Sequence, residues 1–351
     1  MGRKAGGAKP WSKRRNHGSF RAMTDATPTE TLRALAETAL ARAGANPRMA
    51  ALTAEALVAG EAIGQPGHGL SRVPQYAAFL RNGRADGAAE PKVIAQRPGT
   101  ALIDAGHGLA YPALAMAEAE GAARARANGV AFIGITNSHH AGAMGLPVAR
   151  LARQGLVAMA FTNSPFAMPV PGGRRPLLGT NPVAAAFPRR DAAPLVIDLA
   201  LSQVARAKIA GAAQRGEAIP EGWALDAEGR PTTDPKAAMG GAMLALGGPK
   251  GAALALAVEL LCVALTGAAF GFEADGFFQD EGNRPALGQA LLVIDPGALA
   301  GEAGYLTRVE TLVAAMLEDE GVRLPGARHG ALPAGLSIPP ALLEKIRALT
   351  V

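Results

Sequence analysis

One cysteine, Cys262, stands in a chain of 351 residues, which excludes an intrachain disulfide framework and any CxxC metal site. HExxH is absent, so nothing completes the zinc site that two adjacent histidines would otherwise suggest, and no metal is expected. No GxGxxG follows an apolar run, which removes the ordinary Rossmann fingerprint, and no glycine-rich loop ends in GK[ST], which removes the P-loop. No internal repeat is evident. Acidic residues are missing from residues 1–22 (MGRKAGGAKPWSKRRNHGSFRA), as is the apolar stretch that a secretory signal needs.

That last absence explains the charge. The formal net charge is +6 and the isoelectric point near 9.8, values that could suggest a nucleic-acid partner. Of the 35 Lys and Arg, however, seven lie in residues 1–22, and the remaining 28 stand against 29 Asp and Glu. The body of the chain therefore carries no basic excess. Residues 1–22 read as a disordered basic extension, with Met23 an alternative natural start. A nucleic-acid arm is the rival reading of this segment, and a basic binding protein with an inactive enzyme-like body is the remote alternative for the whole chain.

With 49% hydrophobic residues and a mean hydropathy of +0.14, the remainder can bury a large core. The run GAALALAVELLCVALTGAAFGF (Gly251–Phe272) is long enough to span a bilayer. It is rich in Ala and Gly and interrupted by Glu259, so it reads as a core helix. The expected compartment is the cytoplasm, with no membrane partner.

Helices open the chain. TPTE predicts Thr27 as N-cap, Pro28 at the first helical position and Glu30 closing a capping box, with the helix running to about Arg42. Asn46 and Pro47 repeat the signal for a second helix. From about residue 100, short apolar runs (ALIDA, VAFIGIT, LVAMAFTNS, PVAAAFP, PLVIDLA, LLVIDP) alternate with Gly- and Pro-rich turns and helix-like segments, the texture of an α/β domain with a largely buried sheet. After Pro296 helices return. The expected division is a helical lobe from residues 23–99 and 297–351 around an α/β domain of residues 100–296.

Three constellations carry candidate chemistry. In GHGLSRVPQY, His68 and Arg72 are four apart, which places them on one face if the chain is already turning. An Arg fork matches a carboxylate and a neighbouring His can exchange a proton near neutrality, though a surface pair would show the same spacing. In GITNSHHAGAMG (Gly134–Gly145), His139 and His140 stand at the carboxyl end of an apolar strand, where open α/β sheets place ligands. Adjacent side chains diverge in extended chain, so only one ring can face a substrate. Ala141, Gly142, Ala143 and Gly145 would let a flat ligand approach. In GGPKGAALALAVELL, a glycine-rich turn ends at Lys250 and opens a helix, a combination that favours an anion.

Longer motifs carry a resemblance. HGLSR (His68–Arg72), NSHHAGAMG (Asn137–Gly145), GGRRPLLGTNPVAAAFP (Gly172–Pro188), VIDLALSQVARAKI (Val196–Ile209), IPEGWALD (Ile219–Asp226), the turn at Lys250 and RPALGQALLVIDP (Arg284–Pro296) together resemble the type 2 malate/L-lactate dehydrogenase family. That family includes sulfolactate and ureidoglycolate dehydrogenases and Δ1-piperideine-2-carboxylate reductases. The resemblance covers nearly everything after Met23. It implies a three-layer α/β domain with a mixed sheet, of the sulfolactate-dehydrogenase-like type rather than Rossmann, binding NAD or NADP, in a homodimeric enzyme. The implied reaction is hydride transfer between nicotinamide and a small 2-hydroxy or 2-oxo acid of malate, lactate or sulfolactate type, with cyclic-imine carboxylate reduction as the alternative.

By the same resemblance, His140 is the proton carrier, His68 a second polar contact or proton donor, and Arg72 the carboxylate clamp. Thr180, Asn181, Arg206 and Lys208 are implied near the substrate. His139, Ser164, Asp198, Leu199, Ala200, Lys250, Gly251, Arg284, Gly288 and Gln289 match the cofactor-binding segments. Two departures matter: Gly67 stands where the imine reductases tend to have serine, and Lys208 where they have an acid, which favours the hydroxyacid branch.

Overall fold

The computed structural model describes residues 26–351; the basic segment 1–22 and the alternative start at Met23 lie outside them. The chain begins with β1 (Thr27–Pro28) and α1 (Thr29–Arg42). The expected cap differs: Pro28 is the N-cap and no side chain caps the helix. Thr27 and Pro28 pair instead with Leu336 and Gly335 of β12 (Gly335–Leu336), and Glu30 is taken by Arg33 at 2.7 Å. A contact from the far end of the chain has overridden a local signal. The second helix, α2 (Pro47–Ala62), starts as its residues dictate, with Met49 N donating to Asn46 Oδ1 at 2.8 Å and Pro47 in the first turn. Leu32, Ala36 and Leu40 of α1 are buried in one core with Ala50, Ala54 and Leu57 of α2. Two 3₁₀ turns (Pro66–His68 and Leu70–Arg72) then lead into α3 (Val73–Arg81).

A mixed seven-stranded sheet follows, built from β2 (Lys92–Arg97), β3 (Thr100–Asp104), β4 (Val130–Ser138), β5 (Val157–Thr162), β6 (Val183–Phe187), β7 (Leu195–Leu199) and β11 (Leu287–Ile294). Its order is β2-β3-β4-β11-β5-β6-β7. Only β3 and β4 are parallel neighbours, joined through the crossover helix α4 (Tyr111–Asn128), as a parallel pair requires. β11 lies in the middle with both edges paired and residues such as Leu287, Leu291 and Val293 fully buried, hence its apolar sequence. α5 (Gly145–Arg153) links β4 to β5. The sheet starts at Lys92 rather than at residue 100, so the expected boundary cuts off its edge strand. KVIAQR is half polar and largely exposed, as an edge strand can be.

Beyond β7, α6 (Arg206–Arg215), a small sheet of β8 (Ala224–Leu225), β9 (Pro231–Thr232) and β10 (Ala242–Met243), α7 (Pro235–Met239) and α8 (Pro249–Glu259) gather round a second core that includes Leu201, Ile209, Met243, Val258 and Cys262. α8 passes into a π turn at Leu260–Ala264, and the chain turns at Gly267 (φ 72°) instead of continuing to Phe272. One side of this run is buried through Ala252, Ala255, Val258, Glu259 and Cys262, while Leu254, Leu256, Leu260 and Leu265 are exposed. The reading as a core helix therefore holds on one face only. Among the described residues no helix is long and apolar enough to cross a membrane.

The closing segment divides. α9 (Glu302–Leu317) is tied to the sheet beyond β6 by Arg189–Glu310 at 2.8 Å and by Tyr305 Oη donating to Pro188 O at 3.3 Å. α10 (Pro340–Ala348) returns to α1 and α3.

Candidate active site

The end of β4 is bent before it delivers its histidines. Asn137 adopts φ 49°, a left-handed conformation that Asn tolerates better than most residues, and its amide donates to Asp104 Oδ1 at 3.1 Å. Opposite it the register with β11 shifts between Leu287 and Gln289, a bulge that re-aims the exit of the strand. The two rings then differ in burial. His139 is fully buried between Phe79 and Phe277, with ring centroids 5.2 Å from each. Its Nδ1 accepts from His140 N at 2.9 Å. His140 is half-buried, touches Tyr76 and Phe277 as His139 does, and has one side stacked on His68.

That side is where the first motif arrives. The His68 ring stacks on His140 with centroids 5.2 Å apart and planes 12° apart. Tyr76 Oη lies 2.6 Å from His140 Nδ1 and 3.1 Å from Tyr111 Oη, while Phe277 meets the His140 ring edge-on at 5.4 Å. Arg72 is held in plane by Nε donating to Gly67 O at 2.6 Å and Nη1 donating to Gln75 Oε1; these bonds leave the Nη2 edge of the fork for an anion. His68, Arg72 and His140, 72 positions apart in the chain at their extremes, thus form one cluster.

Its electrostatics keep the rings neutral. Burial, and then the charge of Arg72, pull His68 down to about 4. Burial, then Arg84 and Arg72, pull His139 to about 3. His140 is held well below its ordinary value by burial first, then by Arg72, His68 and His139. Tyr76 and Tyr111 are raised, chiefly by burial, and stay as hydroxyls. The cluster therefore offers a neutral imidazole as base, a polarisable hydroxyl pair behind it and one fixed cation beside it.

The other expected residues are distributed unevenly. Ser164 and Thr180 lie together, with Thr180 N donating to Ser164 Oγ at 3.0 Å. Asn181 is fully buried, its Nδ2 donating to Glu259 Oε2 at 2.7 Å and Ala255 O at 2.8 Å; its Oδ1 has no partner among the described residues. Gly288 and Gln289 are likewise interior. A Cβ at Gly288 would lie 1.8 Å from Cys262 O, and Gln289 Nε2 donates to His139 O at 3.2 Å and Thr162 Oγ1 at 3.3 Å. Asp198 Oδ2 accepts from Gly145 N at 2.9 Å and Gln65 Nε2 at 3.4 Å, joining the segments that carry His140 and His68, while Leu199 and Ala200 beside it are exposed. Lys250 and Lys208 are exposed, Gly251 lies tight against Leu246 O, and Arg284 Nε donates to Gly83 O at 3.0 Å. Arg206 is half-buried with its guanidinium 5.3 Å from the Phe278 ring and its Nε without a partner among the described residues.

A family model described as malate/L-lactate dehydrogenase matches residues 27–346. The chain belongs to the malate/L-lactate dehydrogenase family. It is an oxidoreductase. It is 50% identical over 322 residues to a (2R)-3-sulfolactate dehydrogenase (NADP(+)) of Chromohalobacter salexigens, covering 90% of this chain and 96% of that protein. It is 40% identical over 303 residues to a Δ1-pyrroline-2-carboxylate/Δ1-piperideine-2-carboxylate reductase of Pseudomonas putida, covering 86% and 89%. The crystal structure of Δ1-piperideine-2-carboxylate reductase from Pseudomonas syringae superposes with a TM-score of 0.87 at 37% identity, covering 93% of this chain and all of that one.

Within this family member, several residues at the cluster escaped the sequence reading. Tyr76, the last residue of GHGLSRVPQY, stands four residues after Arg72 and so on its face of the turn. Tyr111, Phe277 and Arg84 gave no signal, since each reaches the site only by tertiary contact, whereas Gln75 meets Arg72 locally, three residues on.

Proposed function

We propose that the protein catalyses the reversible oxidation of a small 2-hydroxy acid of the sulfolactate type to its 2-oxo acid, with NAD or NADP as hydride carrier. The observation that carries this reading is the His140 ring stacked on His68 and bonded to Tyr76, with the fixed fork of Arg72 four residues from His68. The substrate carboxylate docks on the free edge of Arg72, which places the carbon-2 oxygen toward the His140 ring. In the tautomer whose Nδ1–H donates to Tyr76 Oη, Nε2 is the base that takes the hydroxyl proton during oxidation. In the reverse direction the ring must first hold a proton. Burial holds His140 down first and the charge of Arg72 adds to it; the arriving carboxylate offsets that second cause, so its charge favours the protonated ring. Arg206 is the candidate receptor for a second, distal anion such as a sulfonate, and Lys208 adds charge on the same helix.

The residues fit a dinucleotide. Gly247 and Gly248, both at φ 65° with nothing within 4 Å of a built Cβ, arch into the first turn of α8, where Lys250 is exposed, and such a turn suits a diphosphate. Ser164, the exposed backbone at Leu199–Ala200, and Arg284 would hold the remainder. When bound, the nicotinamide supplies or accepts the hydride at the substrate carbon. On this reading the cofactor domain is a mixed sheet rather than a doubly wound one, flanked by a lobe that both chain ends help to build. A homodimer is supported by the exposed apolar residues Leu254, Leu256, Leu260 and Leu265 on one face of α8 and its extension. A cytoplasmic site is the matching compartment for an enzyme that draws on the nicotinamide pool.

A second reading, reduction of Δ1-pyrroline- or Δ1-piperideine-2-carboxylate, is favoured by the superposition on a reductase of that type. A panel of 2-oxo acids, sulfopyruvate among them, and cyclic imine carboxylates assayed with NADH and NADPH separately decides between them. Turnover confined to the imines would replace the first reading by the second.

A further inference from the structure

Arg84 belongs to no motif above, yet it is 2% exposed and points into the loop of residues 275–283. Nε donates to Asn283 O at 3.1 Å, Nη2 to Asp275 O at 3.2 Å, and Nη1 to Gln279 O at 2.7 Å, Glu281 O at 3.2 Å and Gly276 O at 3.5 Å. Only a guanidinium can serve so many carbonyls, because its five N–H groups spread in one plane. The loop closes around it. Asn283 N donates to Asp275 Oδ2 at 2.7 Å and Asp275 N to Asn283 Oδ1 at 2.9 Å. At Gly282 (φ 139°) a Cβ would fall 2.8 Å from Asp275 Oδ2 and 3.3 Å from Arg84 Cζ.

Most of the loop is exposed, but it delivers one buried side chain, Phe277, onto His139 and His140. The Phe277 carbonyl accepts from Gln75 Nε2, and Gln75 Oε1 accepts from Arg72 Nη1. Arg84 also covers the Phe79 ring at 4.6 Å, and Phe79 packs on His139.

We propose that Arg84 is a positioning residue: by fixing the loop 275–283 it sets the orientation of Arg72 through Phe277 and Gln75, and the seat of His140 through the Phe277 ring. The inference rests on the reading of Arg72 as the carboxylate clamp. A fork displaced by even part of an ångström loses its paired bonds, so the loss falls on capture of the 2-oxo acid.

The test compares Arg84→Lys, Gln75→Leu and the double variant in the full chain. It measures KM and kcat for the best 2-oxo acid, cofactor Kd by fluorescence, and hydrogen exchange of peptides covering 72–76 and 275–283. Arg84→Lys is expected to raise KM by about tenfold or more and to speed exchange in both segments, with cofactor Kd little changed. Gln75→Leu should raise KM while leaving exchange at 275–283 as in the parent. The double variant should match Arg84→Lys, because both changes cut one path. A role in stability alone would lower the melting temperature and leave KM where it was, and that result overturns the inference, as does a double variant whose losses multiply. Should the parent turn over no 2-oxo acid, the functional reading fails on its own. Exchange at 72–76 then decides the inference: faster in Arg84→Lys supports it, unchanged overturns it.

Discussion

Arg72 and the two adjacent histidines show how much one side chain's chemistry can decide. The guanidinium of Arg72 is fixed by two bonds and offers a planar edge, whereas a lysine ammonium would offer a point charge without that geometry. Arg72→Lys is expected to raise KM for the acid substrate by about 10- to 100-fold with a smaller effect on kcat; an unchanged KM for every active substrate would remove Arg72 from the site. The histidines separate by burial. His140→Ala should lower kcat by roughly 10²–10⁴-fold with cofactor binding retained, the usual worth of a positioned acid–base group. His139→Ala empties a space between Phe79 and Phe277, so it should cost about 2 kcal/mol of stability and less in kcat. Rate against pH for both variants checks the assignment. Loss of the acid–base ionisation in His139→Ala with its retention in His140→Ala would reverse the roles, and its retention in both would pass the role to His68.

At the scale of elements, α8 shows a helix held by a charge in its buried face. Glu259 is 2% exposed. Its Oε1 accepts from Asn163 Nδ2 at 3.2 Å and Gly271 N at 2.8 Å, and its Oε2 from Asn181 Nδ2 at 2.7 Å. The carboxylate therefore joins the end of β5, the GTNP turn and the chain that follows the π turn. Removing it leaves Gly271 N without its acceptor and takes one of two acceptors from Asn163 Nδ2 and Asn181 Nδ2, which keep Ala269 O and Ala255 O, and each lost bond carries a desolvation cost. Glu259→Ala is expected to destabilise the protein by about 3 kcal/mol, seen as a lower urea midpoint at an unchanged denaturant slope. A midpoint equal to the parent's would show that water replaces the carboxylate at no cost. The sequence marked Glu259 only as an interruption in an apolar run, because its partners Asn163 and Asn181 lie 96 and 78 residues away.

For the whole molecule, the three imidazoles of the cluster, one buried and two half-buried, make stability depend on pH. Each of His68, His139 and His140 has a folded value below the ordinary 6.5, so the unfolded chain binds more protons as pH falls beneath 6.5, and stability present above that pH is lost toward the folded values. Glu61 and Asp198, raised chiefly by burial, act in the opposite sense, but only at the lower pH where carboxylates titrate. Between about pH 6.5 and 5 the melting temperature should therefore fall, and His139→Phe should flatten that slope; a melting temperature constant across this window would contradict rings held neutral in the fold. What the sequence determined by itself was local or motif-borne: the Asn46 cap, the apolar runs of the sheet, the turn before Lys250, and the family to which HGLSR and NSHHAGAMG point. Tertiary structure decided the remainder. It drew Thr27 away from capping α1 to pair with β12, added Lys92–Arg97 to the sheet as an edge strand, and ended the long apolar run at a π turn with one face exposed. It turned Asn181 and Gln289 inward, and it brought Tyr76, Tyr111 and the loop anchored by Arg84 to the histidines. Periodicity and capping act over a few residues and can be read in order along the chain. Which ring faces the substrate, and what holds it there, depends on groups as far as 202 positions apart, and only the folded chain sets their distances.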